Sequence, residues 1–216
     1  LHDALPISSH EPSARLRLFQ TLSSGGPWLV ALAFAMYSSQ WLAVVGFLPA
    51  VYAQAGVPGH MVGVLTALVC AANILGNVAA GRLLQRGLPA RWLLCAGFAT
   101  MGLTALLAFH PMTAHMPFGR YVSVWVFSAV GGVVPGTLFS LAVAVAPTPR
   151  TVSTTVGWVQ QCSSTGQFAG PPLVAWVAAQ QGGWHATWVV TGSAALVGLL
   201  LVLRLTAQPR KVGKVR

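Results

Sequence analysis

Six long apolar runs, separated by links of only a few residues, leave this chain few ways to fold. They cover about 28–53, 60–82, 91–110, 118–146, 152–179 and 184–205, and links rich in Pro, Gly and Arg bound them. Each run reaches or exceeds the ~20 residues that carry a helix across a bilayer. Short links force consecutive helices to lie antiparallel as neighbours. The runs lack the alternation of a membrane barrel strand, so helices must satisfy the backbone N–H and C=O groups in lipid. With 6% charged and 55% hydrophobic residues, the chain falls far below the ~25% charged share of a soluble domain. The sequence therefore predicts an all-α integral membrane fold of six transmembrane helices.

The charges set the orientation. Arg15 and Arg17 precede the first run, and Arg82, Arg86 and Arg91 surround the second link. Arg150 sits in the fourth link, and Arg204, Arg210, Lys211, Lys214 and Arg216 follow the last run. When six spans alternate, these eleven of the twelve basic residues fall on one side and only Arg120 on the other. The positive-inside rule places that side, with both termini, in the cytoplasm. An odd number of spans would scatter the charges over both faces. The expected organisation is a polar segment over 1–26, with 1–8 a candidate for non-native sequence, a membrane domain over 27–205 and a basic cytoplasmic tail over 206–216. The net charge of +10 is spread beside apolar runs rather than gathered on a water-exposed face, which argues against a nucleic-acid partner.

Polar side chains inside spans mark functional faces or interhelical bonds. In the fifth run Gln160, Ser164 and Gln167 recur at i, i+4 and i+7 on one face. Asn73 and Asn77 share a face of the second run, and Tyr37, Gln40 and Trp41 a face of the first. These groups are candidates to line a central solute path. The alternative is that they bond helix to helix. Gly132 with Gly136, and Gly166 with Gly170, form G-x-x-x-G pairs that let helices approach closely. Pro49, Pro135, Pro171 and Pro172 each remove a backbone donor within a run.

Both acids, Asp3 and Glu11, precede the first run. Acid–base chemistry in the membrane would fall to His, Cys or Tyr. No G-x-S-x-G, H-E-x-x-H or G-x-x-x-x-G-K-[ST] pattern occurs. Cys70, Cys95 and Cys162 are odd in number and sit in apolar sequence, and His60, His110, His115 and His185 have no ligand spacing. No enzyme, metal or cofactor is expected. Arg120 either snorkels to headgroups or faces a path entrance.

From Gly81 through Gln85, Arg86 and Arg91, the second link resembles the signature loop of the major facilitator superfamily, with Gln85 where that family carries an Asp. Gly166, Gly170 and Pro171 are similar to the family's G-x-x-x-G-P element, without the trailing glycines of its antiporter form. Around Phe47, Leu48 and Pro49, and again over 81–87, the wording resembles bacterial cyanate-transporter-type members. The resemblance implies two inverted three-helix repeats forming the C-terminal half of a twelve-helix secondary transporter. It further implies a missing N-terminal half, a bacterial inner membrane, and a small solute, anions included, moved by alternating access. It also adds Ser128 and Thr137 of the fourth run to the candidate path. The rival expectation is a self-contained six-span oligomeric channel or intramembrane enzyme.

Overall fold

A computed structural model describes residues 13–207, and every regular element among them is helical. The polar start contains a short helix, α1 (Ala14–Leu22), which apolar runs alone do not reveal. Ser13 caps it, its Oγ accepting from the Leu16 amide at 3.3 Å. Trp28 Nε1 donates to the Leu22 carbonyl at 2.8 Å and locks the elbow into α2 (Gly25–Gln54). Leu16, Leu18 and Phe19 of α1 are exposed, as suits a helix lying in a membrane interface.

α3 (Gly59–Gln85) and α4 (Ala90–Phe109) follow after tight turns. Gly56 and Gly87 adopt φ of +76° and +85°, the left-handed conformation that ends a helix. The Leu88 amide then reaches back to the Leu83 carbonyl and the Val57 amide to the Tyr52 carbonyl, so the last turns of α3 and α2 are closed. Gly81 and Gln85 consequently lie in α3 rather than in a loop, Arg86 caps that helix, and Arg91 opens α4.

The fourth run is not one helix. It breaks into α5 (Pro117–Gly131) and α6 (Val133–Ala144) at Gly132. Pro135 has no N–H to offer the Gly131 carbonyl four residues back, and its ring crowds that carbonyl. The last two helices are α7 (Val152–Gln181) and α8 (Thr187–Ala207), and residues Trp184–Ala186 form a 3-10 turn at the start of the final span. Elsewhere the helix ends fall within about three residues of the apolar runs. Asp3, Glu11 and the basic residues of the tail lie outside the described residues.

Residue pairings fix the directions of the helices. Along α2 and α7 the numbering rises together, from Trp28 on Trp158 with rings 4.7 Å apart to Ser39 on Gly170. α3 rises with α5 and α6, from Asn73 on Gly132 to Ala80 on Gly136. α2 runs against α5 and α6, pairing Phe34 with Phe139 at 5.2 Å and Tyr52 with Tyr121 at 6.3 Å. α4 opposes α8, where Phe98 meets Gly198 and His110 lies 5.8 Å from Trp188.

Val44, Leu48, Phe98, Met101, Phe127 and Leu138 are wholly buried between helices, and α2 is the most enclosed of the apolar spans. Leu68, Ile74 and Leu75 on α3 and Leu196, Leu200 and Leu203 on α8 face outward. Such surfaces are unfavourable in water and suited to acyl chains. Among the described residues five segments are long and apolar enough to cross a membrane, namely α2, α3, α4, α5 with α6, and the Trp184–Leu205 stretch. α7, with 30 residues, is as long as α2 but is not among them. Its middle carries Gln160, Gln161, Ser163, Ser164, Thr165 and Gln167, which lower its mean hydropathy.

Candidate functional site

Asn73, on the buried side of α3, joins three helices. Its Nδ2 donates to Tyr37 Oη on α2 at 2.9 Å and to the Ser128 carbonyl on α5 at 3.0 Å. Trp41 Nε1, one turn along α2 from Tyr37, donates to Ser128 Oγ at 3.2 Å. Asn77 donates from Nδ2 to the Asn73 carbonyl at 3.1 Å and to Asn73 Oδ1 at 3.0 Å, which orients the first amide. The i, i+4 spacing of the two asparagines makes this chain of bonds possible.

Glycines allow the backbones to come that close. A methyl group on Gly76 would collide with the Ala129 carbonyl oxygen, and one on Gly132 with the Asn73 carbonyl oxygen. Tyr37, Trp41, Asn73, Asn77 and Ser128 thus form a single network. Tyr37 and Ser128 are buried within the bundle, while Trp41, Asn73 and Asn77 are partly exposed.

Gln40 and Thr137 stay outside this network. Gln40 is 2% exposed and donates from Nε2 to its own helix at Met36 O, 3.1 Å away, while its Oε1 has no partner among the described residues. Thr137, also buried, donates to Val133 O at 2.8 Å within α6.

α7 divides into two faces. Gly166 and Gly170 are buried against α2, where added methyls would strike the Ala35 and Ser39 carbonyl oxygens. On the same side Ser163 Oγ lies 2.9 Å from Ser38 Oγ of α2. The Ser38 hydroxyl also reaches the Phe34 carbonyl of its own helix. On the adjoining side Gln160, Ser164 and Gln167 are all exposed. Gln167 Nε2 makes only a 3.3 Å bond back to Ser163 Oγ. Pro171 ends the glycine-packed stretch, half-buried, without breaking α7. This polar face of α7 is covered by no other helix among the described residues.

Gly81, Gln85, Arg86 and Arg91 are exposed at the far end of α3 and the start of α4. The Arg91 guanidinium sits 4.9 Å above the Trp92 ring. A methyl on Gly81 would meet nothing within 4 Å, so packing among the described residues does not require that glycine.

Two features lie beyond the sequence reading. The Ser38–Ser163 bridge joins α2 to α7 across a distance no local pattern encodes, although Ser163 sits three residues before the first glycine of the α7 pair. Arg120 does more than snorkel. Its Nη2 donates to the His110 carbonyl at 2.7 Å and its Nε to Thr113 Oγ1 at 3.2 Å. It thereby caps the C-terminus of α4 with a cation, the sign that a helix end favours.

The network and the exposed face together carry amides, hydroxyls and aromatic rings. Among the described residues no group of three His, Cys, Asp or Glu side chains could hold a metal ion. No curated protein matches the chain. The model of one family, the Major Facilitator Superfamily, matches residues 29–216.

Proposed function

Because the chain belongs to the Major Facilitator Superfamily, its task is transport across a membrane, and we propose that it forms one six-helix half of a secondary transporter moving a small solute by alternating access. The uncovered polar face of α7 carries this reading. Gln160, Ser164 and Gln167 are exposed on a helix whose other face is packed tightly on α2. Facing acyl chains, those groups would be costly. A second six-helix half closing over α7 turns them into the lining of an aqueous path. Tyr37, Trp41, Asn73, Asn77 and Ser128 stand behind that path as a bonded support, with Gln40 and Thr137 as side chains that repacking could bring into it.

The helix contacts support two inverted three-helix repeats, α2 to α4 and α5 to α8. The first helix of one repeat packs in parallel on the second of the other in both cases, α2 on α7 and α5 with α6 on α3, and glycines mediate both contacts. The third helices, α4 and α8, pair antiparallel with each other. A two-fold exchange of the repeats carries each contact onto its counterpart.

Arg82, Arg86, Arg91, Arg150 and Arg204 gather at the ends expected to face the cytoplasm, which supports an inner-membrane orientation with cytoplasmic termini. The motif residues Gly81, Gln85, Arg86 and Arg91 sit there as a surface for the partner half, and Gly166, Gly170 and Pro171 as the close-packed pivot of α7 on α2. The likeness to cyanate-transporter-type members makes a small anion the first solute to test.

The protein encoded by the whole reading frame that carries this chain is to be reconstituted in liposomes and supplied with labelled cyanate. Saturable uptake is expected, with Gln160→Leu and Gln167→Leu lowering it at equal membrane insertion. Flux that fails to saturate, or that ignores both substitutions, would point instead to a channel or to another path.

A further inference from the structure

At the end of the bundle opposite Arg82, Arg86 and Arg91, a cavity of about 650 Å³ opens between the C-terminal ends of α2 and α4, the start of α5 and the Trp184–Ala186 turn. None of the proposed path residues lines it. Its volume falls within the roughly 300–1,000 Å³ of small-molecule sites. Phe109, Tyr121 and Trp184 provide apolar and aromatic wall, and Arg120, Tyr52 and His185 provide the polar groups.

Arg120 is held in place but not saturated. Its bonds to His110 O and Thr113 Oγ1 use Nη2 and Nε, whereas a guanidinium carries five N–H donors in one plane. No bond to Nη1 is found among the described residues, and no carboxylate lies among them to balance the charge. Tyr52 gives an independent indication. It is only 9% exposed and lines the same cavity, yet its Oη has no hydrogen-bond partner among the described residues. A buried hydroxyl is normally bonded, so an unpaired one on a cavity wall marks a place where a ligand or water completes the site. The Tyr52 ring lies 6.3 Å from that of Tyr121, the neighbour of Arg120 in sequence.

We infer that this cavity binds a small amphiphilic anion, whose carboxylate or phosphate meets the free edge of the Arg120 guanidinium and the Tyr52 hydroxyl. Its apolar part lies against Phe109 and Trp184. A planar guanidinium fork suits both head groups. Two sources share this chemistry, a soluble organic acid and the head group of an anionic lipid. The inference does not depend on the transport reading, because binding is read without flux.

The test uses the protein encoded by the whole reading frame that carries this chain, in phosphatidylcholine nanodiscs, titrated calorimetrically with benzoate. Saturable binding is expected, weakened about tenfold or more by Arg120→Gln and by a smaller factor by Tyr52→Phe, with Ser140→Ala as an unaffected control. If Arg120→Gln aggregates because α4 has lost its cap, Tyr52→Phe and Trp184→Ala carry the comparison. Exchanging part of the lipid for phosphatidylglycerol separates the sources. Competition with benzoate in the wild type identifies a lipid head group as occupant, and unchanged binding identifies a soluble acid. Absence of saturable benzoate binding, or equal binding by the wild type and the cavity variants that fold, would overturn the inference.

Discussion

The Asn73 amide donates to two helices other than its own, and its removal should loosen both contacts at once. Interhelical hydrogen bonds in membranes contribute about 1 kcal/mol each. A double-mutant cycle between Asn73→Ala and Tyr37→Phe, read by reversible unfolding in detergent, should return a coupling of about 1 kcal/mol. A coupling indistinguishable from zero would mean that the 2.9 Å bond contributes nothing to stability. Gly170 makes a sharper case, because any Cβ there meets the Ser39 backbone. Gly170→Val should destabilise by about 1–3 kcal/mol, whereas Gly157→Ala, with nothing within 4 Å of the added carbon, should be neutral or slightly stabilising. Equal losses from both would contradict the close approach of α2 and α7. At this scale the sequence is legible in part. The spacing of Asn73 and Asn77 gives a shared face, and the structure supplies their partners. Tyr37, Gln40 and Trp41 look equivalent by spacing, yet Gln40 bonds back to Met36. Its surroundings depend on neighbouring helices that spacing does not specify.

Among the elements, the break between α5 and α6 has a single local cause, and the same cause makes it testable. Pro135→Ala supplies the N–H that the Gly131 carbonyl lacks. The substitution should join the two helices, slow amide exchange around residue 135 and raise stability by up to ~3 kcal/mol. Unchanged exchange and stability would show that the contact of Gly132 with Asn73 holds the break instead. Pro49, Pro171 and Pro172 sit within helices that remain continuous, so a proline read from sequence marks a lost bond but not the resulting geometry. Apolar length and glycine or proline punctuation locate the long helices well, since the cost of an unpaired backbone in lipid leaves little freedom. The same signals miss α1, whose nine residues are too few and too polar to register. They place the start of the last span at residue 184, where the apolar stretch does begin, and miss only that residues 184–186 turn in 3-10 geometry.

For the whole molecule, one asymmetry connects fold and function. α3 and α8 present leucines and isoleucine outward, whereas α7 presents Gln160, Ser164 and Gln167 beside exposed Phe168, Leu173 and Trp176. The sequence shows both patterns, but only packing reveals which side of α7 is free, because glycines at 166 and 170 commit the adjoining side to α2. The absence of acids beyond Glu11 adds a chemical limit: the described helices carry amides, hydroxyls and rings but no carboxylate that could carry a proton. The most direct test of the central claim is thiol accessibility in the membrane. In a background with Cys70, Cys95 and Cys162 replaced by Ala, Gln160→Cys, Ser164→Cys and Gln167→Cys are exposed in turn to a water-soluble, membrane-impermeant thiol reagent, beside Leu75→Cys and Leu196→Cys as lipid-facing controls. The account predicts that the three α7 positions react and the two controls resist. If the α7 positions resist as fully as the controls, that face meets lipid or protein rather than water, and the proposed path is wrong.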